Sequence, residues 1–203
     1  MKTRLSEGSF ASALAALFAI AAMLAVALPL GVATAGEKKF EFNMVPSSAA
    51  ISACLPQASG EVTIETGDFN DKMEVRVRGL APNTGYDLFV IEIPHGPFGI
   101  SWYQSDLQTD EQGRGHAKVR GVFDVETFSV SQAGSPTVSF PPTHQYHLGL
   151  WFDDPQVPFD LGCEPGRTTP SVTPFNGEQH AGIQVLNTGN FPDNAGPLSQ
   201  IHR

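Results

Sequence analysis

The amino-acid sequence predicts an all-β fold, an antiparallel sandwich or barrel of eight or nine short strands. Three observations predict it. Apolar and polar residues alternate with a period of two in one short segment after another, turn-forming residues separate these segments, and no helical period recurs. No stretch between consecutive segments is long enough for a crossover helix, so the pattern excludes a parallel α/β fold.

The first predicted strands lie at residues 40–44, 61–65 and 73–78, where every second side chain is apolar. Such alternation predicts one packed face and one solvated face for each strand. Residues 67–71 (GDFND) have the composition of a hairpin turn between the last two of these strands. The run at residues 86–93 (YDLFVIEI) is apolar on both parities, which predicts a central strand covered on both sides.

Five further strands are predicted at residues 100–107, 116–123, 127–130, 146–152 and 182–186. The polar segment TDEQGRG, at residues 109–115, forms the turn between the first two of them. Gly and Pro become more frequent from residue 134 onwards. Residues 134–203 are therefore predicted to be a loop-rich part of the same domain and not a second domain.

Residues 1–35 have the layout of a secretory signal peptide. A basic start is followed by an apolar run over residues 11–30 and by the small residues 33–35, which suit a leader peptidase. Cleavage there makes Gly36 the first mature residue and leaves residues 36–203 as a single β-sandwich domain in a secreted or periplasmic protein. The alternative is an uncleaved anchor, because an apolar run of 20 residues is just long enough to span a bilayer.

The charge balance limits the possible partners. The chain has a formal net charge of -9, with 12 basic and 21 acidic residues. Nucleic-acid binding needs clustered Lys and Arg to meet the phosphates, so nucleic acid is not expected as a partner. The small number of basic residues also argues against docking on an anionic membrane once the signal peptide is removed.

The two cysteines, Cys54 and Cys163, both follow the predicted leader. In an exported protein, a single pair of cysteines is expected to form one disulfide. Two free buried thiols are the alternative. No CxxC or CxH spacing favours a metal site.

The sequence shows no spacing typical of catalysis: neither GxSxG nor HExxH occurs. A metal-dependent enzyme would need clustered histidines, and the candidate ligands are His95, His144, His147 and His180. His144 and His147 are three residues apart, which places them on opposite faces of a strand. They could converge only if His144 precedes the strand.

Aromatic residues supply the candidate binding site. His147 and Trp151 share the parity opposite to the apolar face of their strand, with Gly149 between them. A Trp beside a Gly on an outer face can form a stacking platform for a ligand. Trp102 and Tyr103 are the second aromatic candidates. The alternative is that both tryptophans belong to the core, since large aromatic side chains are mostly buried.

Three sequence blocks carry a resemblance to a known group of proteins. They are GLAPNTGYDLFVIEIPHGPFGISWYQSDLQTDEQGRGHAKVRGVF, YHLGLWFDDP and TPFNGEQHAGIQVLNTGNFPDNAGPL. Together they resemble a family of exported bacterial all-β proteins of uncharacterised function. The strand–GLxP–strand and TDxxGxG patterns also resemble secreted Greek-key sandwiches, including the copper/zinc superoxide dismutase-like and chordin-repeat kinds. The resemblance implies a Greek-key sandwich with a long, loop-rich C-terminal decoration, and it implies no chemistry.

Taken together, these features predict an exported, non-catalytic binding or structural module. Its expected partner is a carbohydrate, a peptide or a component of the cell envelope, and no cofactor is expected. The alternative is an extracytoplasmic metal-dependent enzyme that uses the histidines named above.

Overall fold

The computed structural model describes residues 38–123, 128–140, 145–174 and 180–202, and it confirms an all-β antiparallel fold. The strands are β1 (Lys39–Pro46), β2 (Ser59–Glu65), β3 (Asp71–Arg78), β4 (Gly85–Ile91), β5 (Ser101–Gln108), β6 (Gly115–Gly121), β7 (Phe128–Val130), β8 (Val138–Phe140), β9 (His147–Phe152) and β10 (Gln184–Asn187). The helices are short: α1 (Ala49–Cys54), α2 (Gln156–Asp160) and a 3-10 turn (Pro197–Gln200).

Eight strands form one sheet in the order β5-β4-β9-β10-β1-β2-β3-β6, and every neighbouring pair is antiparallel. The two outermost strands, β5 and β6, approach each other through a bridge between Thr109 and Gly115. The sheet is therefore nearly closed and resembles a barrel. Strands β7 and β8 form a separate two-stranded hairpin.

Each of the nine predicted segments overlaps a strand of the structure. Strand β8 was not predicted, since it has only three residues and a proline follows it. The predicted hairpin turn at residues 67–71 connects β2 and β3, and the predicted turn at residues 109–115 connects β5 and β6. The loop-rich C-terminal part supplies β9 and β10, which lie in the middle of the sheet.

The strand β4 is buried on both faces, as predicted from its sequence. Tyr86, Leu88 and Val90 point into the main core of the sheet. Phe89 and Ile91 point the other way, into a smaller apolar cluster with Trp151, Ala181 and Phe98. The odd-numbered side chains of β4 therefore lie on the outer face of the sheet, where residues such as Phe98 and Ala181 cover them.

The predicted disulfide is confirmed. It joins Cys54, at the end of α1, to Cys163, just after α2, with the Cα atoms 5.1 Å apart. The bond connects residues separated by 109 positions and fastens the loop after β9 to the start of the domain. The predicted signal peptide lies outside the described residues, and no helix among the described residues is long and apolar enough to cross a membrane.

Candidate binding site

Trp151 lies on the outer face of β9, on the parity that the sequence indicated, but it is only 1% exposed. Its ring packs edge-on against Phe89 and Phe98, with ring centroids 5.5 and 5.0 Å away. Gly149 makes room for the indole: a Cβ there would lie 2.6 Å from Cη2 of Trp151. Because Gly149 has no side chain, the indole of Trp151 packs against the backbone of β9. The ring is buried and offers no open face for stacking.

The other two aromatic candidates, Trp102 and Tyr103, point to opposite faces of β5. Trp102 is half-buried and packs edge-on against Tyr146 in the main core, with centroids 4.8 Å apart. Tyr103 packs against Phe89 at 5.7 Å and remains 48% exposed. Of the four predicted binding residues, Tyr103 thus has the most exposed side chain.

His147, the fourth predicted binding residue, is buried beside the second apolar cluster. Its Nδ1 lies 2.9 Å from the hydroxyl of Thr188 and its Nε2 lies 3.3 Å from the carbonyl oxygen of Asp193. Burial lowers the pKa of His147, although the contacts with Asp193 and Thr188 oppose this shift. The imidazole is therefore neutral at pH 7 and has a structural role between β9 and the C-terminal loops.

The candidate metal ligands that the structure describes do not form a metal-binding group, although His95 and His147 both contact Asp193. His95 forms an exposed contact with Asp193, 3.3 Å from Nε2 to Oδ1, and His180 is exposed on the loop before β10. His144 lies outside the described residues. Within the described ranges, no three His, Cys, Asp or Glu side chains are grouped so that they could hold a metal ion.

A row of carboxylates crosses the outer face of the sheet next to Tyr103. Asp87 on β4 is directly opposite Asp106 on β5 and directly opposite Trp151 on β9. Asp153 follows the end of β9, and its amide donates to the carbonyl of Gly85 on β4. We call Tyr103, Asp106, Asp87 and Asp153 the acid–aromatic patch.

Asp87 is the unusual member of the acid–aromatic patch. It is 2% exposed, and its Oδ2 has no hydrogen-bond partner among the described residues. Burial, together with the negative charges of Asp153 and Asp106, raises the pKa of Asp87 from 3.8 to about 6. The rise corresponds to a cost on the order of 3 kcal/mol when the group is ionised in the folded protein.

Tyr103 and Asp106 form the exposed rim of the patch. The phenol of Tyr103 donates a hydrogen bond of 2.6 Å to Oδ1 of Asp106. Desolvation and the hydrogen bond to Asp106, reinforced by the charges of Asp106 and Asp87, raise the pKa of Tyr103, so the phenol keeps its proton at neutral pH. The hydrogen bond fixes the ring and leaves the second oxygen of Asp106 available as an acceptor.

Asp87 and Asp106 are not among the candidate residues predicted from the sequence, and Asp153 was considered there only as part of an acidic cluster with Asp154 and Asp160. A signal for Asp87 was nevertheless present, since it is the only charged residue in the apolar run YDLFVI. A lone carboxylate in a strand that is apolar on both parities must be buried, and a buried carboxylate marks a functional candidate. Asp106 and Asp153 carried no such signal, because strand pairing alone brings them beside Asp87.

No protein-family model matches the chain, and no curated protein is significantly similar to it. The function of the acid–aromatic patch therefore has to be inferred from its own residues. These offer two exposed groups, the ring of Tyr103 and the carboxylate of Asp106, above a buried negative charge.

Proposed function

We propose that the protein is an exported, non-catalytic binding module that holds its ligand on the acid–aromatic patch. The observation that carries this proposal is Asp87, a buried carboxylate with an unpartnered oxygen among the described residues. Such a group destabilises the folded state, because moving an ionised carboxylate out of water costs free energy that no counter-charge offsets. A ligand that lies over the patch and compensates the charge of Asp87 explains why the strand carries this carboxylate.

Export is part of the proposal and has two supports. The N-terminal sequence has the layout of a signal peptide. The bond between Cys54 and Cys163 fits the periplasm or the cell exterior, because disulfides persist in oxidising compartments. The resemblance of the three sequence blocks to a family of exported bacterial proteins agrees with this location.

The finer fold class that we propose is a Greek-key sandwich of the superoxide dismutase-like kind. The strand order supports it: with the bridge between Thr109 and Gly115 counted as contact, the strands run β9-β4-β5-β6. In this order, β4, β5 and β6 follow one another, and β9 returns to lie beside β4, which is the arrangement of a Greek key.

The patch suits the ligand classes expected from the sequence, which are a carbohydrate, a peptide or a cell-envelope component. An exposed aromatic ring such as Tyr103 offers a flat apolar surface. The neighbouring Asp106 offers acceptors that orient a ligand by hydrogen bonds. Both features are contributed by a paired strand, which holds them in place.

The test is a binding screen with matched variants. The exported protein is presented with arrays of defined envelope glycans and short peptides, alongside the Tyr103→Ala and Phe69→Ala variants. Phe69 is the control, because it is an exposed aromatic residue (89%) in the turn between β2 and β3. We expect at least one class of ligand to bind and its affinity to fall at least tenfold in Tyr103→Ala only. The proposal is wrong if no class binds, or if both variants lose the same affinity.

A further inference from the structure

The acid–aromatic patch places like charges next to one another. Asp87 and Asp106 are direct cross-strand neighbours on the outer face of β4 and β5. Asp153 is close to the same strand, since a Cβ added at Gly85 would lie 3.3 Å from its Oδ2. Like charges in directly opposite positions destabilise an antiparallel pair. Asp87 and Asp106 therefore repel each other when both are ionised.

The two central carboxylates of the patch, Asp87 and Asp106, lie without a cationic partner in the part of the chain that the structure describes. Among the described residues, no Lys, Arg or His side chain forms an ion pair with Asp87 or Asp106.

Basic side chains are instead concentrated on the other half of the sheet. On the outer face of β3 and β6, the single carboxylate of Glu74 contacts Arg76, His116 at 2.6 Å and Lys118 at 3.6 Å. Two basic side chains, Arg76 and Lys118, thus contact the one carboxylate of Glu74, whereas no ion pair among the described residues involves Asp87 or Asp106.

The aromatic part of the patch has the same preference. The face of a tyrosine ring attracts cations through its quadrupole, and this attraction strengthens beside carboxylates. Tyr103 is held against Phe89 and is tied to Asp106 by its hydroxyl, so its ring is fixed next to the exposed carboxylate. A cation that contacts Asp106 can therefore also contact the ring.

Resting on the proposed function, we infer that the group bound by the patch is an alkylammonium or guanidinium cation, as carried by a lysine- or arginine-bearing peptide. Asp106 accepts its hydrogen bonds at the rim, and Tyr103 packs against it. The charge of Asp87, with its unpartnered oxygen, attracts the cation from below. The ligand supplies a counter-charge that none of the described residues gives to Asp87 or Asp106.

The inference predicts a pH dependence. The titratable groups facing Asp87 are Asp106 and Tyr103 on β5 and Asp153 after β9. Because Asp87 is protonated below about pH 6, the patch has one negative charge fewer there. A cation therefore binds more weakly at pH 5 than at pH 7.5.

The experiment compares three tripeptides that differ in one side chain: acetylated and amidated Gly-Lys-Gly, Gly-Arg-Gly and Gly-norleucine-Gly. Each is titrated into the exported protein, and the backbone amide resonances of Asp87, Tyr103 and Asp106 are followed by NMR. We expect the lysine and arginine peptides to shift these resonances saturably and the norleucine peptide to leave them unchanged. Asp106→Asn is expected to weaken binding at least tenfold, and Asp68→Asn, an exposed aspartate in the β2–β3 turn, to leave it unchanged.

Two results would overturn the inference. One is equal binding of the norleucine peptide. The other is lysine and arginine binding that Asp106→Asn does not weaken. If a neutral glycan binds in a Tyr103-dependent way while neither basic peptide does, the inference fails and the proposed function stands. If neither glycan nor peptide binds, both fail.

Discussion

Asp87 is a carboxylate that strand β4 buries without providing a cation for it among the described residues. Its neighbours in the ladder are another carboxylate, Asp106, and the indole of Trp151. The substitution Asp87→Asn keeps the shape of this side chain and removes its charge. It therefore tests how the charge of Asp87 affects the free energy of unfolding.

We predict that Asp87→Asn stabilises the protein above pH 6. The pKa of Asp87 is raised in the folded state, from 3.8 to about 6, so the folded protein binds this proton more tightly than the unfolded chain. Stability is therefore lost as the pH rises from about 4 to 6, by an amount on the order of 3 kcal/mol, and the Asn variant escapes that loss. Urea unfolding of both proteins at pH 4 and pH 7.5 measures the difference.

The comparison between the two proteins cancels the effect of other titrating groups. His147, whose pKa is lowered by burial, destabilises both proteins as the pH falls below its ordinary value of 6.5. A variant that is less stable than the native protein at pH 7.5 would show that Asp87 has a stabilising partner.

We predict that Gly149→Ala destabilises the protein by about 2 kcal/mol, as overpacking of a core does. The added methyl group would lie 2.6 Å from Cη2 of Trp151 and 2.7 Å from the side-chain amide nitrogen of Gln184. Thermal unfolding with tryptophan fluorescence measures the loss. Gly96→Ala is the control, because its nearest new contact is the ring of Phe98 at 3.9 Å, and it should change little. Equal unfolding temperatures for the native protein and Gly149→Ala would contradict this account of the packing.

At the scale of elements, alternating side chains located the strands well. Strands β2 and β3 show why. Val62 and Val75 are cross-strand partners and both are buried, while the charged residues next to each of them along the strands, such as Glu61 and Arg76, are exposed. The short strand β8 left too few residues for a period to show. The environment of Trp151 could not be predicted either, because Phe98 and Ala181, which cover it, come from distant loops.

We predict that replacing both cysteines by alanine lowers the free energy of unfolding by about 2–5 kcal/mol. The disulfide closes a loop between residues 109 positions apart, so its removal frees a large part of the unfolded chain. Thermal unfolding with and without a reducing agent measures the effect. The reducing agent should lower the melting temperature of the native protein and leave that of the double variant unchanged. A native protein that melts at the same temperature in both conditions would contradict the prediction.

At the scale of the whole molecule, the all-β class followed from the sequence, but the order of the strands did not. The alternation of apolar and polar residues predicts which side chains of β9 share a face. It does not predict that β9 lies between β4 and β10 in the sheet. That order depends on contacts between residues far apart in the chain. It is also what brings Asp153 beside Asp87 and so assembles the acid–aromatic patch.

We predict that the exported protein begins at Gly36. A leader peptidase would cut after the small residues at 33–35, and an uncleaved anchor would keep the apolar run at 11–30. Intact mass spectrometry of the protein from the extracytoplasmic fraction distinguishes the two. A full-length mass, or recovery of the protein only from the membrane fraction, would contradict cleavage.

The central claim is that Asp87 is held without a counter-charge until a cationic ligand arrives. The most direct measurement is the pKa of the Asp87 carboxyl group, obtained by following its carboxyl ¹³C resonance against pH in the free protein and with a saturating lysine peptide. We expect a pKa of about 6 in the free protein and a lower value in the complex. A pKa near 3.8 in the free protein, or one that the peptide does not lower, would contradict the claim.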